Sequence, residues 1–275
     1  MIVTVVNQSR HVADDELQRV IRAINRQIRE DFGPSWSLSA ELRLEGRAGK
    51  QPDRVKLPEL RGDAVLYLWD KIDLPGAEGY HQANARGIPF GFVFTELSKQ
   101  LAEDWTVTLS HEALELIGDP QVNLLVAGPH PDENRTVFHW FEMSDPVQDE
   151  SYEIDGVKVS NFVLPLYYTP GAEAGSRNDF LGRAHGGKTL ASFGMNPGGY
   201  IGFFDPKTQK DVTFANTGDE KAMHRLKAKK RHGAGRRAIR LAMWPGEAVA
   251  AASRAARGLA TAVAAESGKT YTQID

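Results

Sequence analysis

The polar and apolar positions of the chain change period several times, and each change predicts an element. Residues 2–6 are all β-branched and suit a buried strand. Leu17, Val20, Ile21, Ile24 and Ile28 recur at helical spacing behind the acidic start Asp14, Asp15 and Glu16. They predict a long amphipathic helix over residues 13–31, ended by Gly33 and Pro34. Trp36, Leu38, Ala40, Leu42 and Leu44 alternate with polar residues as a half-buried strand would. Residues 45–54, basic and polar around Pro52, read as a loop, and the continuous apolar run at 63–69 as a central strand. Lys71, Pro75, Gly76, Gly79, His81, Arg86 and Gly87 predict a long loop over 70–88, ahead of a short strand at 90–94. A largely apolar helix follows at 105–117, so the predicted order is strand, helix, strand, strand, strand, helix.

The pattern weakens downstream. Residues 121–148 are irregular until the apolar stretch at 136–142, and Asp155-Gly156 between alternating residues predicts a hairpin over 152–160. Residues 161–168 are apolar and aromatic, and Gly194, Pro197, Gly198 and Gly199 precede a short strand at 200–204. Past residue 214 the composition shifts. Nine Lys and Arg and no acid fall within 221–240, a charge of +9, which leaves −12 for the rest of a chain whose formal charge is −3. An Ala-rich segment at 247–266 has strong helix propensity. The predicted organisation is a domain over 1–205 and a basic, Ala-rich, helical C-terminal tail over 206–275, with no internal repeat.

Composition narrows the setting. At 275 residues the chain can bury a sizeable core, and 41% apolar with 25% charged residues is ordinary for a globular protein. The absence of cysteine excludes disulfides, thiolate ligands and cysteine nucleophiles. No basic leader precedes the first strand, and no apolar run approaches the roughly 20 residues that span a bilayer. The cytoplasm is therefore the default expectation, with non-classical export left open.

Candidate chemistry concentrates in the helix at 105–117. His111 and Glu115 lie four residues apart on one face, within reach of a single metal ion, and Glu112 lies about 100° round beside them. Leu109, Ala113, Leu116 and Ile117 take the other faces, and Gly118, Asp119 and Pro120 stop the helix. A buried helix that carries one His and two Glu needs an explanation.

The segment His111, Glu112, Ala113, Leu114, Glu115 resembles the H-E-x-x-H active-site helix of zincin metallopeptidases, with glutamate at the second ligand position. Gly118 falls where metzincin-like members place a glycine, and the strand at 90–94 is similar to the one zincins use to hold an extended peptide. The chain also resembles an uncharacterised bacterial family that shares S-H-E, E and D-P, then E-x-x-D and V-S-N-F-V. Here these are Ser110, His111 and Glu112; Glu115; Asp119 and Pro120; Glu142 and Asp145; and Val159, Ser160, Asn161, Phe162 and Val163. The resemblance covers residues 1–205.

It implies an α+β fold, a zincin-like mixed β-sheet with the long amphipathic helix and a metal-binding active-site helix. It also implies hydrolysis of a peptide or protein substrate, with Glu112 activating a metal-bound water. His111 and Glu115 would be ligands. The third would follow the helix: Glu142 first, with Asp145 as partner of His111 or itself the ligand, Asp119 next, and His139 after these. One His and two carboxylates leave a divalent ion with no net local charge, so the ion, zinc first with manganese or iron(II) as alternatives, would acidify water less. A slow hydrolase or an optimum above neutral pH follows.

Rival readings stay open. A lone buried His is more often structural than a ligand, and Trp140, Phe141, Tyr167 and Tyr168 read first as core. No oxyanion donor can be chosen among Tyr152, Tyr167 and His139, and the glycines at 194–202 lack phosphate-loop spacing. One alternative function is a catalytically silent zincin-like domain that binds a protein partner. The other is binding of nucleic acid or another anion through 221–240, although a solvated tail explains that charge as well.

Overall fold

The computed structural model describes residues 1–45, 62–70, 79–83, 87–100, 103–171 and 176–216. The basic stretch at 221–240 and the Ala-rich segment at 247–266 lie outside the described residues, as does nearly all of the loop predicted at 45–54.

The β-branched run at the start forms β1 (Ile2–Asn7), which pairs in parallel with β2 (Glu41–Leu44) on one side and β3 (Ala64–Trp69) on the other. β3 is central and also pairs in parallel with β5 (Pro89–Phe94), while β4 (Gly79–Ala83) adds antiparallel at the edge. The order β2-β1-β3-β5-β4 makes a mixed sheet. β4 lies where a loop was expected. Its residues carry little apolar signal because main-chain pairing with β5 makes it a strand and the side chain it buries, among the described residues, is that of His81.

The amphipathic helix is α1 (Asp14–Gln27), acidic in its first turn, with Leu17, Val20, Ile21 and Ile24 buried. It does not stop at Gly33 and Pro34. A π-helical turn, Ile28–Phe32, leads into α2 (Gly33–Trp36), and the chain reverses at Ser37, φ 55°. Pro34 sits in the first turn of α2, where a missing N–H leaves no bond unmade. A Cβ at Gly33 would lie 2.7 Å from the Ile28 carbonyl, so glycine permits the π turn. Trp36 is thus helical, its indole N–H donating to Val163 O at 3.0 Å, and the strand predicted from residue 36 begins only at Glu41.

After α3 (Thr95–Gln100) comes α4 (Trp105–Gly118), buried at every position from Thr108 to Ile117, as its apolar circumference predicts. It packs against β5, β4 and the hairpin β8 (Ser151–Ile154) and β9 (Val157–Ser160). That hairpin turns at Asp155, φ 51°, and Gly156, φ 73°, the conformation expected of Asp-Gly.

A second, antiparallel sheet has the order β11-β10-β7-β6, built from β6 (Leu125–Pro129), β7 (Thr136–Trp140), β10 (Tyr200–Asp205) and β11 (Lys210–Ala215). The β10–β11 hairpin crosses the boundary expected at 205/206, so the folded unit extends beyond residue 205. β6 and β11 escape the sequence pattern because neither buries a full face: β6 has a single buried residue and β11 none.

One continuous apolar core joins β1, α1, β3, α4 and β9 to Phe162 and Tyr167. Phe32, Phe162 and Phe180 form an aromatic chain through it, with ring centroids 5.3 and 5.0 Å apart. The opposite face of the first sheet buries Val65, Tyr67, Phe92 and Phe94. The protein is α+β, and among the described residues no helix is long and apolar enough to cross a membrane.

Candidate metal centre

A buried polar junction fixes α4 along its length. Ser110 Oγ donates to Gln27 Oε1 of α1 at 2.7 Å and accepts from the Ser160 amide at 3.0 Å, while Gln27 Nε2 donates to Ser160 O at 2.8 Å. These three bonds lock α1, α4 and β9 together, so Ser110 and Ser160 serve the position of the helix. Asn161 ties the same segment to Glu150 and Asp179, with its amide 2.6 and 2.8 Å from their carboxylates.

On the face that α4 turns towards the second sheet, His111 Nε2 lies 3.3 Å from Glu115 Oε2 and 3.2 Å from Asp145 Oδ1. Asp145 opens the 3₁₀ turn Asp145–Val147, and the Ser144 amide donates to Glu115 Oε1 at 3.1 Å, which anchors that turn to the helix. Glu142, just past β7, approaches Glu115 from the side of His81. His81 Nδ1 is 3.3 Å from Glu112 Oε2 and 3.8 Å from Glu115 Oε2, and His81 Nε2 is 4.0 Å from Glu142 Oε2. Two groups of donors result, His111 with Glu115 and Asp145, and His81 with Glu115 and Glu142, each with its ligand atoms within 4.8 Å of one another.

Of the expected residues, His111, Glu112, Glu115, Glu142 and Asp145 are brought together, all buried. The first two candidates for the third ligand both lie at Glu115, Asp145 in one group and Glu142 in the other. Asp145, not Glu142, shares a group with His111, because the 3₁₀ turn aims Asp145 at that imidazole. Asp119 belongs to neither group: it follows the helix end, and its Oδ2 accepts from the Leu124 amide at 2.9 Å. His139 is held elsewhere, its Nε2 2.9 Å from Pro129 O and its ring against Phe193. Burial, with His130 nearby, depresses its pKa against that carbonyl contact. Gly118 is the last residue of α4 and has no left-handed φ. A Cβ there would overlap the end of the Met143 side chain, which would have to shift.

Two contributors have little sequence signal. His81 stood as one residue of a loop, and it reaches the centre because it pairs opposite Gly91 on the edge strand. A Cβ at Gly79 would meet Glu112 Oε1 at 2.7 Å, so glycine lets β4 approach α4 this closely. Tyr200 reaches Asp145 because a Cβ at Gly199 would overlap Pro146 O, so only glycine lets β10 pass the 3₁₀ turn there. Its hydroxyl donates to Asp145, and Tyr168 donates to Glu142 O at 3.1 Å. The oxyanion candidates are engaged elsewhere, Tyr152 with Asp31 at 2.7 Å and Tyr167 with Gly194 O at 2.8 Å.

The electrostatics match a cation site. Burial alone would lower the His111 pKa, yet Glu115, Asp145 and Glu112 hold it well above its ordinary value. Burial and the charge of Glu115 raise the Asp145 carboxyl, against the bonds from His111 and Tyr200. Burial, with Asp145 and Glu115 adding to it, pushes the Tyr200 hydroxyl well up. These are the marks of acids crowded in a low dielectric, which a metal ion relieves. The His111 distances of 3.2 and 3.3 Å fit neighbouring ligands on one tetrahedral ion, which bonds of about 2.0–2.1 Å separate by about 3.3 Å. His81 Nε2 is buried and has no hydrogen-bond partner among the described residues, as a nitrogen reserved for a ligand would be. The donor set therefore fits a divalent cation. No protein-family model, no curated protein and no solved structure matches the chain.

Proposed function

We propose that the protein is a metal-dependent hydrolase of peptide bonds in which Glu112 is the general base. The observation that carries this reading is the buried convergence of His111 with Glu115 and Asp145, at 3.3 and 3.2 Å, beside Glu112 on the same helix. A divalent ion held by those three side chains would polarise a substrate carbonyl and lower the pKa of a water beside it, less strongly than a site with two His would. The chain's own groups do the rest. Glu112 takes the proton at a carboxylate oxygen and returns it to the leaving amine. His81 Nδ1, 3.3 Å from Glu112 Oε2, orients that carboxylate, and the Tyr200 hydroxyl orients Asp145. β4, the edge of the first sheet among the described residues and packed beside α4, offers main-chain groups to an extended peptide, which supports a peptide as substrate.

One observation favours a catalytically silent domain that binds a protein partner: Glu112 is only 6% exposed and already contacts His81. Glu112→Gln separates the two readings. The hydrolase reading requires peptide cleavage by the metal-loaded full chain and its loss in the variant. Activity that survives the substitution unchanged would remove Glu112 from the role.

A further inference from the structure

We propose that the centre binds two divalent ions, with Glu115 bridging them: one on His111 and Asp145, the other on His81 and Glu142. This rests on the reading of the first group as a metal site and adds a second site that the H-E-x-x-E pattern does not contain.

The two donor groups share only Glu115. Its Oε2 stands between the two imidazole rings, 3.3 Å from His111 Nε2 and 3.8 Å from the Nδ1 edge of His81, where a carboxylate shared by both groups would stand. His81 Nε2 lies 4.0 Å from Glu142 Oε2, too far for a hydrogen bond. That distance falls within the span of two ligands on one ion, which bonds of about 2.1 Å place about 3 to 4.2 Å apart, and His81, Glu115 and Glu142 each offer one ligand atom within 4.8 Å of the others. The side chain of His81 is 1% exposed, and its Nε2 has no hydrogen-bond partner among the described residues. A buried imidazole nitrogen of this kind beside two buried carboxylates is a donor set that suits a cation.

Charge leads to the same count. Glu112, Glu115, Glu142 and Asp145 carry −4 when ionised, and the two imidazoles are neutral as ligands. Within this group of six side chains, one divalent ion leaves −2 and two leave none. The oxygen-rich set suits manganese or iron(II) as well as zinc. Carboxylate-bridged pairs in hydrolases hold their ions about 3.5–4 Å apart. A second ion also adds back the positive charge that one His and two carboxylates take from the first.

The full chain, stripped with chelator, is titrated with Mn(II) by calorimetry, and the loaded protein is examined by electron paramagnetic resonance. Two equivalents should bind, and the spectrum at saturation should be that of a spin-coupled pair. His81→Ala and Glu142→Gln should each lower the stoichiometry from two to one and restore the hyperfine pattern of isolated Mn(II). These two variants lie on separate elements, so one remains informative if the other fails to fold. Wild type that saturates at one equivalent, or two equivalents retained in both variants, overturns the second site. If that single equivalent is lost in His111→Ala and kept in His81→Ala, the hydrolase reading survives the failure of this one. If wild type binds none, both fall.

Discussion

Glu115 is 1% exposed and has an imidazole on each side, His111 at 3.3 Å and His81 at 3.8 Å, so its charge is compensated by groups from two different elements. Glu112, one turn back, has its Oε2 3.3 Å from His81 Nδ1. Its replacement by Gln keeps the shape and should cut peptide hydrolysis by about 10²–10⁴-fold with metal content unchanged, measured on one preparation by turnover and elemental analysis. A variant that loses metal along with activity would make Glu112 a ligand instead. At this scale the sequence was informative where geometry follows from helical spacing, which is why His111, Glu112 and Glu115 were legible. His81 and Tyr200 were not, because each depends on a close backbone approach permitted by Gly79 or Gly199.

Between elements, hydrogen bonds of single residues set the position of α4. Ser110→Ala removes the partner of both Gln27 Oε1 and the Ser160 amide, all three buried. The expected cost is about 1–3 kcal/mol, read from urea denaturation of the metal-free protein. An unchanged midpoint would show that the junction does not hold the helix. In the second sheet, Arg135 grips Asp205 with two bonds, 2.5 and 3.0 Å, and the Arg135 guanidinium holds the Asp205 carboxyl down at about 2. A lowered folded-state pKa stabilises above the unfolded value of about 3.9, and that contribution fades as pH falls through the folded value. Asp205→Asn should therefore be less stable than wild type at pH 7, with the gap narrowing between about pH 4 and pH 2. A gap that does not change with pH would assign the loss to packing. β1, α1, β3, β5, α4 and the β8–β9 hairpin follow from period and turn chemistry. β6 does not, because Leu125 at 43% exposure and its neighbours make a strand through pairing with β7 alone.

For the molecule as a whole, one core runs from β1 through α1 and α4 to Phe162, so the first sheet and the segment that follows the β8–β9 hairpin are expected to unfold together. Phe162→Ala opens the middle of the Phe32, Phe162 and Phe180 chain and should cost about 3–5 kcal/mol. Circular dichroism and tryptophan fluorescence should report the same shifted midpoint; two separate transitions would divide the core. The α+β class was legible from the order of predicted elements. The expected boundary at residue 205 fell inside the β10–β11 hairpin, since pairing across a turn leaves less trace in composition than the basic run that follows.

Elemental analysis of full-length protein purified without chelator or nickel affinity, beside Glu115→Gln and His111→Ala prepared in the same way, tests the centre most directly. Wild type should carry zinc, manganese or iron at about one equivalent or more per chain, with Glu115→Gln losing most of it and His111→Ala losing the ion of its own group. Wild type that neither carries metal nor takes it up on titration, or a Glu115→Gln variant with wild-type content, would contradict a metal centre on α4.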